Sequence, residues 1–120
     1  MTLKTFNKRQ LQIGENIRRL IAREINELEN GEKPKNDFLT IMKAEISKDL
    51  RYCKVFYRCK IENREFFQKW LEANTNELDN IIYKKLHLRI RPDLKFVFDD
   101  TMKIIEEIEE VIKRNKEFVE

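Results

Sequence analysis

The sequence predicts an α+β fold in which a small three-stranded mixed sheet carries helices on one face. Three observations predict it. Apolar residues recur at i, i+3 and i+4 in four separate stretches, the period of an amphipathic helix. Residues 50–61 instead alternate, with Cys53, Val55, Tyr57, Cys59 and Ile61 on one side, and the turn Ser47-Lys48-Asp49 joins them to the β-prone run from Phe38 to Ile46. A third alternating run, Leu94, Phe96 and Phe98, follows two helical stretches. The turn is too short for a crossover, so the first two strands pair as an antiparallel hairpin. A hairpin, two helices and a further strand make a sheet covered on one side. The order is αββααβα, and residues 1–120 are expected to form a single domain with 101–120 as an appended C-terminal helix.

In the first helix Ile13, Ile17, Leu20, Ile21, Ile25 and Leu28 share one arc, and Asn30-Gly31 supplies its stop before Pro34. At about 100° per residue, Lys8, Gln12, Asn16, Arg19 and Arg23 fall on the opposite side, so the wet face is basic. Residues 30–37, NGEKPKND, read as a connecting loop. The second strand turns Leu50, Tyr52, Lys54, Phe56, Arg58 and Lys60 away from the core, with Tyr52 and Phe56 either beneath the final helix or open to RNA. Phe66, Phe67, Trp70 and Leu71 form the core face of a second helix, and Leu78, Ile81, Ile82 and Leu86 that of a third. Between them Ala73-Asn74-Thr75-Asn76 competes with helix continuation, and Asn74 with Glu77 has capping-box spacing, so a sharp kink is expected. Asp99 or Asp100 caps the last helix. Its Ile105, Ile108, Ile112 and Val119 share a face expected to pack on the domain, and Glu106, Glu107, Glu109 and Glu110 make its early surface acidic.

Charged residues make up 39% of the 120 positions, yet 41% are apolar and 10% aromatic, which favours a folded chain over a disordered one. Residues 1–60 carry 14 basic and 8 acidic side chains, net +6, and residues 61–120 carry 11 and 14, net −3, giving the overall +3. The molecule is expected to be electrostatically two-sided. No run approaches the roughly 18 apolar residues of a membrane span. The opening MTLKTFNKRQ lacks an apolar stretch resembling a signal peptide, so a cytoplasmic protein without membrane partners is expected.

Two stretches carry a family resemblance: Ser47-x-Asp49-Leu50-x-x-Cys53-Lys54-Val55, and Leu88-Arg89-Ile90-x-Pro92-Asp93-Leu94-x-Phe96-x-x-Asp99. Together with Ile17-Arg18-Arg19 and the αββααβ order, they resemble bacterial ribosome-binding factor A over roughly residues 8–100. The resemblance implies a type II KH-like fold. It also implies a non-enzymatic factor that binds the small ribosomal subunit and its precursor RNA late in maturation. Members of that family usually carry an Ala-x-Gly kink between the central helices. Here the corresponding stretch is Ala73-Asn74-Thr75-Asn76, and the left-handed position that glycine fills is expected at Asn76. The Gly-x-x-Gly loop of KH domains proper is absent, since the glycines are Gly14 and Gly31.

No catalytic residue, metal or cofactor is expected. One His and two Cys offer no ligand cluster, and six positions along a strand separate Cys53 from Cys59 by about 20 Å, too far for a disulfide. His87 has no Ser or Cys placed as nucleophile, and there is no Gly-rich phosphate loop or small-molecule site. Charge and facing nominate Lys8, Arg19, Arg23, Lys54, His87, Arg89 and Arg91 as RNA-binding. The last three alternate with Leu88 and Ile90, so the basic groups project together while the apolar pair faces inward; the alternative is an ion pair such as Arg89 with Asp49. The expected function is a monomeric ribosome-assembly factor that docks through one shared basic surface. A protein-interaction module using the amphipathic last helix, and a general RNA chaperone, are the alternatives.

Overall fold

The structure is a computed structural model that describes residues 6–27 and 38–118, the side chains of residues 102, 103 and 115–118 excepted. Leu28, the 30–37 loop and Val119 lie outside the described residues. The first helix, α1 (Lys8–Glu24), begins at a reciprocal cap. The Gln10 N–H donates to Asn7 Oδ1 (2.8 Å), and the Asn7 N–H donates to Gln10 Oε1 (3.1 Å). A 3₁₀ turn, Ile25–Glu27, extends it. β1 (Thr40–Ile46) and β2 (Tyr52–Arg58) form the expected antiparallel hairpin, irregular between Ile41 and Lys43. After a short 3₁₀ turn come α2 (Arg64–Ala73), α3 (Thr75–Lys85), β3 (Asp93–Phe98) and α4 (Thr101–Phe118). β3 lies parallel to β2, so the strand order is β1-β2-β3 with β2 central. This is the αββααβ order that the resemblance implied, with a helix appended.

Alternation along β2 divides the sheet into two faces. Cys53, Val55 and Tyr57 turn inward beside Ile41, Ile46 and Phe96, and all are buried. α1 covers β1, and α2 and α3 cover β3, contributing the buried Ile17, Ile21, Phe67, Leu71, Leu78 and Ile82. Each such side chain stabilises the fold by about 1.5–3 kcal/mol. Tyr57 brings a hydroxyl into this core and donates it to Gln68 Oε1 (2.5 Å), while Gln68 Nε2 donates to the Phe96 carbonyl (3.0 Å). Burial pushes the Tyr57 phenol up to about 12. α1 approaches β1 so closely that a Cβ on Gly14 would collide with the Ala44 carbonyl oxygen. The opposite face of the sheet, with Lys43, Tyr52, Lys54, Phe56 and Lys95, carries no helix.

Three expectations need correction. α2 buries Phe67, Trp70 and Leu71, but Phe66 is 40% exposed at its edge. The kink has a different chemistry from the one expected. Asn74 makes no side-chain cap for α3, and Asn76 lies within α3 without a positive φ. Instead Asn74 is fully buried, its Nδ2 donating to the Trp70 carbonyl (2.8 Å), and the Thr75 hydroxyl donates to the Leu71 carbonyl (3.0 Å). The Asn74 N–H still reaches the Trp70 carbonyl (3.2 Å), while the Thr75 hydroxyl takes the Leu71 carbonyl that its own backbone N–H would use in a continuous helix. Finally, Ile105, Ile108 and Ile112 are 41–53% exposed, and every other described side chain of α4 is exposed as well. α1, α2 and α3 already cover the inward face of the sheet, so α4 has no place on this core. The Cα radius of gyration, 17.4 Å, accordingly exceeds the roughly 14 Å of a compact domain of this length.

Candidate nucleic-acid interface

Two turns and the start of α1 meet at one end of the domain. The β1–β2 turn is organised around Ser47 and Asp49: the Ser47 hydroxyl donates to Asp49 Oδ1 (2.7 Å), and the Tyr52 N–H donates to Ser47 Oγ (3.0 Å). The Leu50 N–H closes the turn on the Ser47 carbonyl (2.9 Å), which places Leu50 at φ 63°. α3 ends in a Schellman motif in which the Leu88 N–H reaches the Tyr83 carbonyl (3.2 Å) and the His87 N–H that of Lys84 (3.4 Å). The residue between them, His87, takes φ 53°, a position usually given to glycine. Gln10 ties α1 to the same corner by donating from Nε2 to the Ile46 carbonyl (3.0 Å).

These three segments enclose a cavity of about 670 Å³, with Ile13, Leu50 and Leu88 on its walls and Arg9, Lys48, His87 and Arg89 around it. Asn16 and Leu86 line both this cavity and a depression of about 410 Å³ that continues between α1 and α3 past Arg19, Arg23 and Lys85. The two form one basic groove. Arg9, Lys48 and Arg89 have no ion-pair partner among the described residues. Arg19 pairs with Glu15 (3.1 Å), Arg23 lies 3.6 Å from Glu24, and Lys85 Nζ contacts Glu24 (3.0 Å). The hydrogen bond from Arg18, with Arg19 adding to it, holds the Glu15 carboxyl at about 2. The Arg19–Glu15 pair is exposed and contributes little to stability, whereas Glu24, which faces Arg23 and Lys85, is buried.

The groove gathers Arg19, Arg23, His87 and Arg89 from the sequence-based candidates, while Lys8 stands exposed in the first turn of α1 outside the cavity lining. Two further candidates lie away from it. Lys54 projects from the uncovered face of the sheet, because Cys53 and Val55 on either side of it point into the core. Arg91 turns back onto the kink, its Nε donating to Asp79 Oδ2 (2.9 Å) and its Nη2 to the Asn76 carbonyl (2.7 Å). Burial raises the Asp79 carboxyl even against this guanidinium. The ion pair therefore belongs to Arg91, and Arg89 is the free cation. Nor does Ile90 face inward; it is 42% exposed, because residues 86–92 are a turn and loop and do not alternate as a strand. Arg9, Lys48 and Lys85 are additional members that the sequence reading missed. Each comes from a different element, and their only signal in sequence is a cation at a helix or turn boundary.

No group of three or more His, Cys, Asp or Glu side chains that could hold a metal occurs among the described residues. Both Cys53 and Cys59 are buried, and burial pushes the Cys53 thiol up to about 12, which keeps it protonated. No helix among the described residues is long and apolar enough to cross a membrane.

Residues 9–112 match the family described as ribosome-binding factor A. The ribosome-binding factor A of Francisella tularensis subsp. novicida is 38% identical over 76 residues, 62% of this chain; the match spans about half of that relative's length, 53%. The crystal structure of ribosome-binding factor A from Thermus thermophilus superimposes with a TM-score of 0.63 at 23% identity, covering 73% of this chain and 93% of the other. Coordinates of the Thermus thermophilus factor fitted into a cryo-electron-microscopy map of its complex with the 30S subunit give 0.59 at 22% identity, covering 75% and 94%. With residues 9–112 matched and the fold shared, the chain belongs to the ribosome-binding factor A family.

Proposed function

We propose that this protein is a cytoplasmic, monomeric, non-catalytic assembly factor that binds the immature small ribosomal subunit late in maturation and contacts its precursor RNA through the basic groove. The observation that carries the reading is the convergence of Arg9, Arg19, Arg23, Lys48 and Arg89 on one continuous concavity. Family membership and the 30S complex of the Thermus thermophilus relative support it. Lys and Arg neutralise phosphates and release counterions, while the rigid body formed by α1, the two turns and the sheet matches the shape of the RNA. Holding an RNA arrangement needs no covalent step.

The test is cosedimentation with precursor and mature small subunits across a salt series. Reversing Arg19 and Arg89 to Glu should leave the circular dichroism spectrum intact, weaken binding at least tenfold and flatten the salt slope, which runs at roughly 0.7–0.9 per phosphate contact. Lys54→Glu, on the far face, should bind as the unmodified protein does. Salt-insensitive binding, or equal losses at Lys54 and in the groove, refutes RNA docking through the groove. A second reading has its own observation: the uncovered apolar stripe of Ile104, Ile108 and Val111 on α4 suits a protein partner. Under that reading Ile108→Glu abolishes particle association and groove reversal does not.

A further inference from the structure

We propose that the cavity between the start of α1, the β1–β2 turn and the α3–β3 loop receives one unstacked base of a single-stranded RNA segment, with the flanking phosphates held at the rim by Arg9, Lys48 and Arg89. The inference rests on the RNA-binding reading and names which part of the RNA enters the protein. A phosphate needs only charge, and the apolar groups of Ile13, Leu50 and Leu88 on the cavity walls offer it nothing. A nucleotide is amphipathic in the same way as the cavity, with a flat base of apolar faces joined to an anionic backbone. The volume, about 670 Å³, lies within the roughly 300–1,000 Å³ typical of sites that enclose a small molecule. An A-form duplex keeps its bases stacked inside and presents phosphates and 2′-hydroxyls, so it would bridge the rim and leave the concavity unfilled.

Asp49 distinguishes base from phosphate inside the cavity. It is the one carboxylate among the described lining residues. The Ser47 hydroxyl and the Arg51 N–H donate to it and hold it below the usual carboxylate range, so it is charged at neutral pH. A carboxylate repels a phosphate and accepts from the amino and imino edges of bases. The walls are also preformed. The two non-glycine residues with positive φ among the described residues, Leu50 and His87, both line this cavity, each held by the turn bonds described above. Left-handed backbone at such residues is strained and persists only where the surroundings fix it.

The 120-residue chain, labelled at Ile, Leu and Val methyl groups, is titrated with an eight-nucleotide single-stranded RNA of mixed sequence. The same strand carrying an abasic site at each position in turn, and a duplex of the same sequence, are titrated alongside. Abasic substitution removes a base and leaves every phosphate in place, so electrostatic docking alone predicts a flat scan. The expected result is a loss of about tenfold at one position, weaker binding of the duplex, and methyl shifts at Ile13, Leu50 and Leu88 that vanish with that abasic strand while Ile104 and Ile108 do not move. A flat scan with salt-dependent binding retained overturns the base pocket and leaves RNA docking standing. Ring-current shifts at Val97 on the uncovered sheet face, with Ile13 and Leu88 unmoved, place the base elsewhere and overturn the proposal. Failure to bind either the strand or small-subunit particles defeats the RNA reading and this inference with it.

Discussion

Backbone conformation at a single residue separates His87 from Asn76. Residue type favours Asn76 as the left-handed position, because Asn tolerates positive φ better than most side chains. The chain places it in the first turn of α3 instead, and His87, two residues beyond the end of α3, takes φ 53°. His87→Gly should therefore raise stability by about 0.5–1 kcal/mol, whereas Asn76→Gly should lower it by a few tenths to about 1 kcal/mol. Urea midpoints of the two variants must move in opposite directions. The sequence held this information only conditionally: the His87 position becomes visible once α3 is known to stop at Leu86. A second residue-scale expectation concerns Glu15, whose carboxyl sits at about 2 under the Arg18 guanidinium, below its ordinary 4.5. A lowered folded-state value means that the pairing contributes above 4.5 and is lost as pH falls toward 2. Carboxyl resonances followed by NMR should place the Glu15 midpoint near 2, and Arg18→Gln should return it toward the ordinary range.

At the scale of elements, the period of the apolar residues located α1, α2, α3 and the three strands, because each of these has one face against the same core. What periodicity does not carry is which element that face meets. α1 shows the tightest such meeting, where Gly14 lies against the Ala44 carbonyl. An alanine there gains about 1 kcal/mol of helix propensity, but its methyl group strikes rigid backbone, so Gly14→Ala should be net destabilising by about 1–3 kcal/mol in denaturant unfolding. α4 shows the opposite case. Its stripe of Ile105, Ile108 and Ile112 has the spacing of a core helix and no core beneath it. Removing residues 101–120 should leave the thermal midpoint within about 1–2 °C of the full chain, since surface elements contribute little. A drop of 5 °C or more would show that α4 rests on the domain in solution.

For the whole molecule, the sequence made the charge asymmetry legible and left its shape hidden. The described basic residues of 1–60 fall on both faces of one sheet, and alternation alone sends Lys54 to the far side from Arg19. The groove draws instead on both halves, with Arg9 and Lys48 from the first and Lys85 and Arg89 from the second. Summing charge along the chain cannot find such a surface, because β3 brings the second half back beside the first. That return has a consequence in time. β1 and β2 close through a short turn, but β3 reaches β2 only across the whole of α2 and α3. Pairings between distant parts of a chain form late, and a chain grows from its N-terminus. While the polypeptide is still being made, α1 and the hairpin can stand as two walls of the cavity, but the third wall, residues 86–90, awaits the last strand. This topology withholds the complete cavity, and with it the proposed RNA site, from the nascent chain until synthesis has passed β3.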